Sequence, residues 1–123
     1  MTQDIKKKNS AKAAFELIKP DLNKDTVLGI GTGSTTNYFI EALNESDIEI
    51  KGAVCSSISS EKNLNPSIKV IELNEVHSID FYVDGADEFN DRFELIKGGG
   101  GALTREKILA YSSNKFMCIV DDS

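Results

Sequence analysis

Two short motifs of this 123-residue chain contain charged side chains that could take part in catalysis or ligand binding. Asp84 and Asp87 stand three residues apart in "DGADEFN", and Lys97 and Glu106 flank a glycine run in "KGGGGALTRE". Paired carboxylates on a turn could bind Mg²⁺ through oxygen, although Lys97 could balance their charge without a cation. Ordinary structural roles are also open: aspartates occur in turns, and a glutamate in a first helical turn offsets the helix dipole.

The four consecutive glycines, residues 98–101, are harder to explain structurally. Glycine loses more backbone freedom on folding than any other residue, so such a run is costly. Successive glycine N–H groups can form a concave surface that binds a negatively charged oxygen. The run therefore indicates a backbone surface that contacts a ligand between Lys97 and Glu106.

A second glycine-rich segment, "GIGTGSTT" at residues 29–36, follows a short apolar run. Glycines allow a tight turn, and the N-terminus of the following helix offers unpaired N–H groups and a positive dipole end. The hydroxyls of Ser34 and Thr35 are further donors, so a phosphate is the natural ligand. A glycine-rich turn that binds nothing is the alternative.

Nucleotide cofactors fit this segment less well. A dinucleotide fingerprint that begins at Gly29 would need glycine at position 34, where the chain has Ser34. The acidic residue expected after the next strand is also missing, because that strand leads into "CSSISS". No Gly-Lys-Ser/Thr sequence of an ATP-binding loop follows either. A single phosphate is favoured over NAD or ATP.

Apolar and helical runs alternate along the chain. The predicted strands are residues 26–30, 48–54, 68–73, 79–84 and 115–121, and the predicted helices are residues 3–18, 34–43, 59–64 and 104–112. Such alternation implies parallel pairing with right-handed crossovers. We expect an open, doubly wound, mostly parallel α/β sheet, Rossmann-like, in which ligands bind beyond the carboxyl ends of the strands.

Composition excludes several classes of protein. The formal charge of −6 argues against nucleic-acid binding, and no apolar run approaches the roughly 20 residues of a membrane span. The N-terminus has no apolar signal-peptide core. Cys55 and Cys118 are predicted to be buried thiols, which suits a reducing cytoplasm. His77 stands alone, with no second histidine or cysteine cluster nearby, so a zinc site is not expected. No cofactor is expected, because neither the NAD nor the ATP pattern is present.

The motifs "GIGTGSTT", "YVDGADE", "LIKGGGGALTREKI" and "FMCIVDDS", in this order and spacing, closely resemble ribose-5-phosphate isomerase of type A. The resemblance runs from the opening helix to the last residue. It implies a metal-independent enzyme of the non-oxidative pentose phosphate pathway that interconverts ribose 5-phosphate and ribulose 5-phosphate through a cis-enediol(ate).

The resemblance also assigns residues. It implies that Glu106 is the catalytic base and that Asp84, Asp87 and Lys97 open the sugar ring and move protons among the hydroxyls. The implied sugar-phosphate contacts are Thr32, Gly33, Ser34, Thr35, Asp84, Gly85, Ala86, Asp87, Lys97, Gly98, Gly99, Gly100 and Lys7.

Family members are considerably longer than this chain. They carry a further α+β subdomain, which this chain is expected to lack, and form homo-oligomers, dimers or tetramers. Residues 1–123 are therefore expected to be a single α/β catalytic domain, either an N-terminal portion of the family's usual length or an unusually short member. The alternative is a sugar-phosphate-sensing module of related fold. Such a module would also need the glycine-rich segment at residues 29–36 to bind phosphate, but its function would not explain why Lys97 and Glu106 occur together.

Overall fold

A four-stranded parallel sheet forms the centre of the computed structural model, which describes residues 3–76, 78–85 and 113–119. The strands are β1 (Val27–Ile30), β2 (Gly52–Cys55), β3 (Ile79–Gly85) and β4 (Ser113–Ile119). Their order across the sheet is β2-β1-β3-β4, and every pair runs parallel. The predicted open α/β sheet of Rossmann-like type is confirmed.

The order in which strands are added to the sheet reverses at β1. The chain first moves outward from β1 to β2, and then returns to place β3 on the other side of β1. Ile30 lies level with Cys55 of β2 and with Val83 of β3, so β1 and β2 end together and β3 extends two residues further, to Gly85. Open α/β sheets bind ligands at the crevice that such a reversal creates.

Two helices cover one face of the sheet. The helix α1 (Gln3–Ile18) has the predicted bounds, and α2 (Ser34–Glu45) packs beside it. The rings of Phe15 and Phe39 meet edge to face, with centroids 5.7 Å apart, over the buried side chains of Leu28 and Ile30. Burial of this shared apolar surface, rather than intrinsic helix propensity, stabilises both helices.

The opposite face carries a smaller cluster of buried side chains, which consists of Val27, Val54, Ile71, Ile79 and Tyr82. Because strand side chains alternate between faces, β1 contributes Val27 to this cluster and Leu28 to the other. All four residues of β1 are buried, as expected for the central strand of a parallel sheet.

The predicted strand at residues 68–73 is wrong. Only Val70 forms a bridge, to Ala53, and a short 3-10 helix begins at Leu73. Two hydrogen bonds to Ala53 hold the segment at the outer edge of β2, while Ile71 turns into the smaller cluster. The apolar alternation there reflects a single anchored residue rather than a paired strand.

Other boundaries also differ. The strand β2 begins at Gly52 rather than at residue 48, because Ile48 and Ile50 pack against the core without joining the ladder. The third helix, α3 (Ile58–Asn63), lies one residue before its predicted place. The predicted helix at residues 104–112 and the last two residues of the predicted strand at 115–121 lie outside the described residues.

The two cysteines differ. Cys55 is buried as predicted, but Cys118 is exposed, because β4 lies at the edge of the described sheet and only its last residue is buried. In the described part of the chain, no helix is both long and apolar enough to cross a membrane.

Candidate active site

Three polar segments meet at the carboxyl edge of the sheet. Gly31 follows β1, and its N–H donates to the Val83 carbonyl of β3 at 2.8 Å. Ser56 follows β2, and its N–H donates to the Ile30 carbonyl, also at 2.8 Å. These two hydrogen bonds extend the backbone hydrogen bonding one residue beyond β1 and β2. They therefore hold the ends of β1, β2 and β3 together.

The loop between β1 and α2, residues 31–33, delivers the N-terminus of α2 to this edge. Gly33 caps the helix with φ at 122°, a conformation in which other residues are strained. Gly33 has no side chain that could cap the helix. The N–H groups of Ser34 and Thr35 lie in the first turn, where no carbonyl of the helix can accept from them, and with the helix dipole they favour an anion.

Lys7 of α1 brings a positive charge to the same point. Its Nζ donates to the Ser34 hydroxyl at 3.0 Å, and this contact connects α1 to the first turn of α2. An ammonium group beside a helix N-terminus strengthens the attraction for an anion such as phosphate.

Asp84 lies at the end of β3, on the other side of the crevice, and its side chain is 0% exposed. The Tyr82 hydroxyl donates to Oδ2 at 3.1 Å, and the Gly85 N–H donates to Oδ1 at 2.9 Å. Gly31 packs directly against the carboxylate, since a Cβ added there would come within 3.0 Å of all three carboxylate atoms. The carboxylate is therefore fixed in orientation beside the β1–α2 loop.

A serine cluster, defined as Ser56, Ser57 and Ser60, lies behind this loop. The hydroxyls of Ser56 and Thr32 are 2.6 Å apart, and the Ser60 hydroxyl donates to the Gly31 carbonyl at 2.7 Å. In the sequence, "CSSISS" is a polar segment at a strand end, and no role was predicted for it. The serine spacing around a short helix, with Ser57 as its N-cap, was the available signal.

Tyr82 was also missed by the sequence reasoning. Its position two residues before Asp84 puts both side chains on one face of β3, and this spacing could have indicated the contact.

The structure brings seven of the predicted site residues to this edge: Lys7, Thr32, Gly33, Ser34, Thr35, Asp84 and Gly85. The other predicted site residues lie outside the described residues: Ala86, Asp87, Lys97, Gly98, Gly99, Gly100 and Glu106. The same holds for His77.

The family model described as Ribose 5-phosphate isomerase A (phosphoriboisomerase A) matches residues 52–123. The chain belongs to the ribose 5-phosphate isomerase A family. The match contains β2, the serine cluster and Asp84, while solved structures extend the similarity over the N-terminal part, including Lys7 and the β1–α2 loop.

Ribose 5-phosphate isomerase A from Neisseria gonorrhoeae is 44% identical over 98% of this chain, with a TM-score of 0.77. The isomerase from Methanocaldococcus jannaschii is 28% identical over 97% of the chain, with a TM-score of 0.68. A D-ribose-5-phosphate isomerase solved with phospho-erythronic acid is 34% identical over 99%, with a TM-score of 0.70. The chain spans 53%, 55% and 56% of these three proteins, about half of their length.

Proposed function

We propose that the protein acts as a ribose-5-phosphate isomerase, which interconverts D-ribose 5-phosphate and D-ribulose 5-phosphate. The observation that carries the proposal is the crevice between β1 and β3. An anion-binding helix N-terminus with Lys7 stands on one side of it, and the buried Asp84 carboxylate stands on the other. A molecule with a phosphate at one end and exchangeable protons at the other suits this arrangement.

The phosphate would bind at the first turn of α2. Thr32, Gly33, Ser34 and Thr35 supply backbone N–H groups and hydroxyls, and Lys7 supplies charge. Binding energy at this remote end would position the reacting carbons. The solved relative with phospho-erythronic acid gives independent support, because its ligand also carries a phosphate.

The reaction would transfer a proton between neighbouring carbons. In our proposal Glu106 removes the C2 proton of the open aldose, a cis-enediolate forms, and Glu106 returns the proton to C1. The C2 hydroxyl proton passes to O1, so that the carbonyl group moves from C1 to C2. No metal takes part in this sequence.

The remaining groups would prepare the substrate and stabilise charge. Asp84, Asp87 and Lys97 would open the furanose ring by moving protons between its oxygens. Lys97 and the N–H groups of residues 98–100 would stabilise the enediolate oxygen. For Asp84 this role is supported by its fixed orientation, since a preorganised carboxylate needs no rearrangement during the reaction.

The wider setting belongs to the same proposal. We place the enzyme in the non-oxidative pentose phosphate pathway, as a single α/β catalytic domain that assembles as a dimer or tetramer. A cytoplasmic location is supported by thiols at Cys55 and Cys118, which persist in a reducing compartment.

The test is an isomerisation assay on ribose 5-phosphate in EDTA, paired with a calorimetric titration of the same ligand. We expect turnover that EDTA leaves unchanged, and a loss of about 10²–10⁴-fold in Glu106→Gln with binding retained. Turnover in Glu106→Gln equal to that of the unsubstituted chain would contradict the base assignment. Absence of ribose 5-phosphate binding would contradict the substrate.

A further inference from the structure

Two buried serines behind the β1–α2 loop have no part in the reaction as proposed. Ser56 is 7% exposed and Ser60 is 1% exposed, and both come after β2 rather than from the loop itself. Buried hydroxyls cost free energy unless they are hydrogen-bonded, so their partners indicate what they do.

Ser60 holds the backbone of Gly31. The Ser57 hydroxyl donates to the Ser60 Oγ at 3.2 Å, and the Ser60 hydroxyl donates its single proton to the Gly31 carbonyl at 2.7 Å. The Ser60 N–H in turn donates to the Ser57 Oγ at 3.2 Å. Because the peptide bond is planar, fixing the Gly31 carbonyl also fixes the direction of the Thr32 N–H.

Ser56 holds the next residue by its side chain. Its backbone N–H is bonded to Ile30, which anchors it at the end of β1, and its Oγ lies 2.6 Å from the Thr32 Oγ1. This hydrogen bond holds the Thr32 side chain against Ser56. Two successive loop residues, Gly31 and Thr32, are thus held immediately before Gly33 and the N-terminus of α2.

We infer that Ser56 and Ser60 are positioning residues for the phosphate, which act through the β1–α2 loop without touching the ligand. The inference rests on the proposed function, since it names what orders that site. A loop already held in its binding conformation loses less conformational entropy when the ligand binds. Removing either hydroxyl should therefore weaken phosphate binding in a chain that still folds.

The experiment is a titration of the ¹⁵N-labelled chain with inorganic phosphate and with ribose 5-phosphate, followed by backbone amide shifts. The variants are Ser56→Ala and Ser60→Ala, and the control is Ser59→Ala, an exposed neighbour on α3. We expect each variant to bind both ligands roughly three- to tenfold more weakly, the loss typical of one hydrogen bond. The control should bind like the unsubstituted chain.

A double-mutant cycle separates positioning from general weakening of the structure. If Ser56 acts through the Thr32 hydroxyl, adding Ser56→Ala to Thr32→Val should cause no further loss of affinity. Thr32→Ser retains the hydroxyl, and in that background Ser56→Ala should again weaken binding. Fully additive losses in the Thr32→Val background would overturn the inference for Ser56.

Failure of the inference and failure of the proposed function give different results. A chain that binds neither ligand would contradict the proposed function. The amide shifts of Thr32 and Gly33 would then still test the inference, because they should move in Ser60→Ala and stay in Ser59→Ala. Folded Ser56→Ala and Ser60→Ala that bind both ligands as tightly as the control would overturn it. If Ser60→Ala does not fold, Ser56→Ala decides alone.

Discussion

The side chain of Asp84 accepts hydrogen bonds from two described donors on its own strand and packs against Gly31, which follows β1. Tyr82 and Gly85 each donate to one carboxylate oxygen, while Gly31 leaves the space that the carboxylate occupies. A buried carboxylate requires such compensation because water no longer solvates it. The contacts that stabilise the residue are therefore the same contacts that aim it at the crevice.

Gly31→Ala should damage this arrangement. The new Cβ would collide with the Asp84 carboxylate, while the Gly31 N–H bond to Val83 prevents the backbone from moving away. We expect a loss of about 1–3 kcal/mol in the free energy of unfolding, as for other overpacked sites. Urea denaturation measures it.

Gly29→Ala is the matched comparison for that variant. The atoms nearest to its Cβ would be side-chain atoms of Tyr82 and Ile79, at 3.0 and 3.1 Å, a smaller overlap than the one at Gly31. A smaller loss is expected there. An equal or larger loss in Gly29→Ala would show that the Asp84 collision is not the controlling contact.

Tyr82→Phe should remove one of the two described donors to Asp84 and keep the ring. The stacking of this ring on Phe116, at 5.4 Å between centroids, would persist. We expect a loss of about 1–2 kcal/mol in the free energy of unfolding, the cost of a buried acceptor that loses a partner. Phe116→Leu disturbs the stacking but leaves the Tyr82 hydroxyl in place. It should therefore lower ribose 5-phosphate turnover less than Tyr82→Phe does.

At the scale of elements, two of the contacts between α1 and α2 have different roles. Their apolar faces pack through Phe15 and Phe39, and their polar ends meet where Lys7 reaches Ser34. The first contact is part of the core. The second is exposed and adds little stability, so its value is expected to lie in ligand binding.

Lys7→Met tests that division of roles. We expect the affinity for inorganic phosphate to fall about tenfold, because a charge-assisted hydrogen bond is lost. Thermal unfolding should change little. Lys8→Met is the control, since Lys8 faces Glu41 at 3.8 Å rather than Ser34. Equal losses of affinity in both variants would indicate a general charge effect.

The elements that the sequence predicted well are those with a full apolar face or a strong boundary residue. The helix α1 has its predicted bounds, and the start of α2 at Ser34 follows from Gly33 and the hydroxyl residues after it. A strand was wrongly predicted at residues 68–73, because the local alternation of apolar and polar residues cannot show whether a neighbouring strand is available for pairing. Only the short β2 edge is available there, and it accepts one bridge.

In the candidate site, too, the contiguous motifs were predicted from the sequence, whereas contacts between distant residues were not. The β1–α2 loop and Asp84 were predicted because glycine and acid motifs are contiguous in sequence. The contact of Ser60 with the Gly31 carbonyl joins residues 29 positions apart through an unremarkable serine. The exposure of Cys118 likewise depends on β4 lying at the edge of the described sheet, which strand composition does not specify.

At the scale of the whole molecule, the sheet separates two unequal clusters of buried side chains. The larger one lies under α1 and α2, and the smaller one lies around Tyr82 and Ile79. Because β1 contributes side chains to both, a change on either face is transmitted to the strand that precedes the site.

Phe15→Ala should destabilise the whole fold. Phe15 is 2% exposed and packs against Phe39, so its truncation leaves a cavity at the junction of α1, α2 and the sheet. We expect a loss of about 3–5 kcal/mol in the free energy of unfolding. Leu17→Ala on the same helix, at 70% exposed, should stay within about 0.5 kcal/mol. Similar midpoints of urea denaturation for both would contradict the assigned core.

The close packing of Gly31 against Asp84 also restricts the order in which substitutions can accumulate. Alanine at position 31 costs stability while the carboxylate is present, but a smaller residue at position 84 would remove the collision. A lineage that first loses Asp84 could therefore acquire the alanine without this cost, and with the alanine in place a return to aspartate would carry the cost instead. The residues allowed at position 31 therefore depend on the residue at position 84, although the two positions are 53 residues apart.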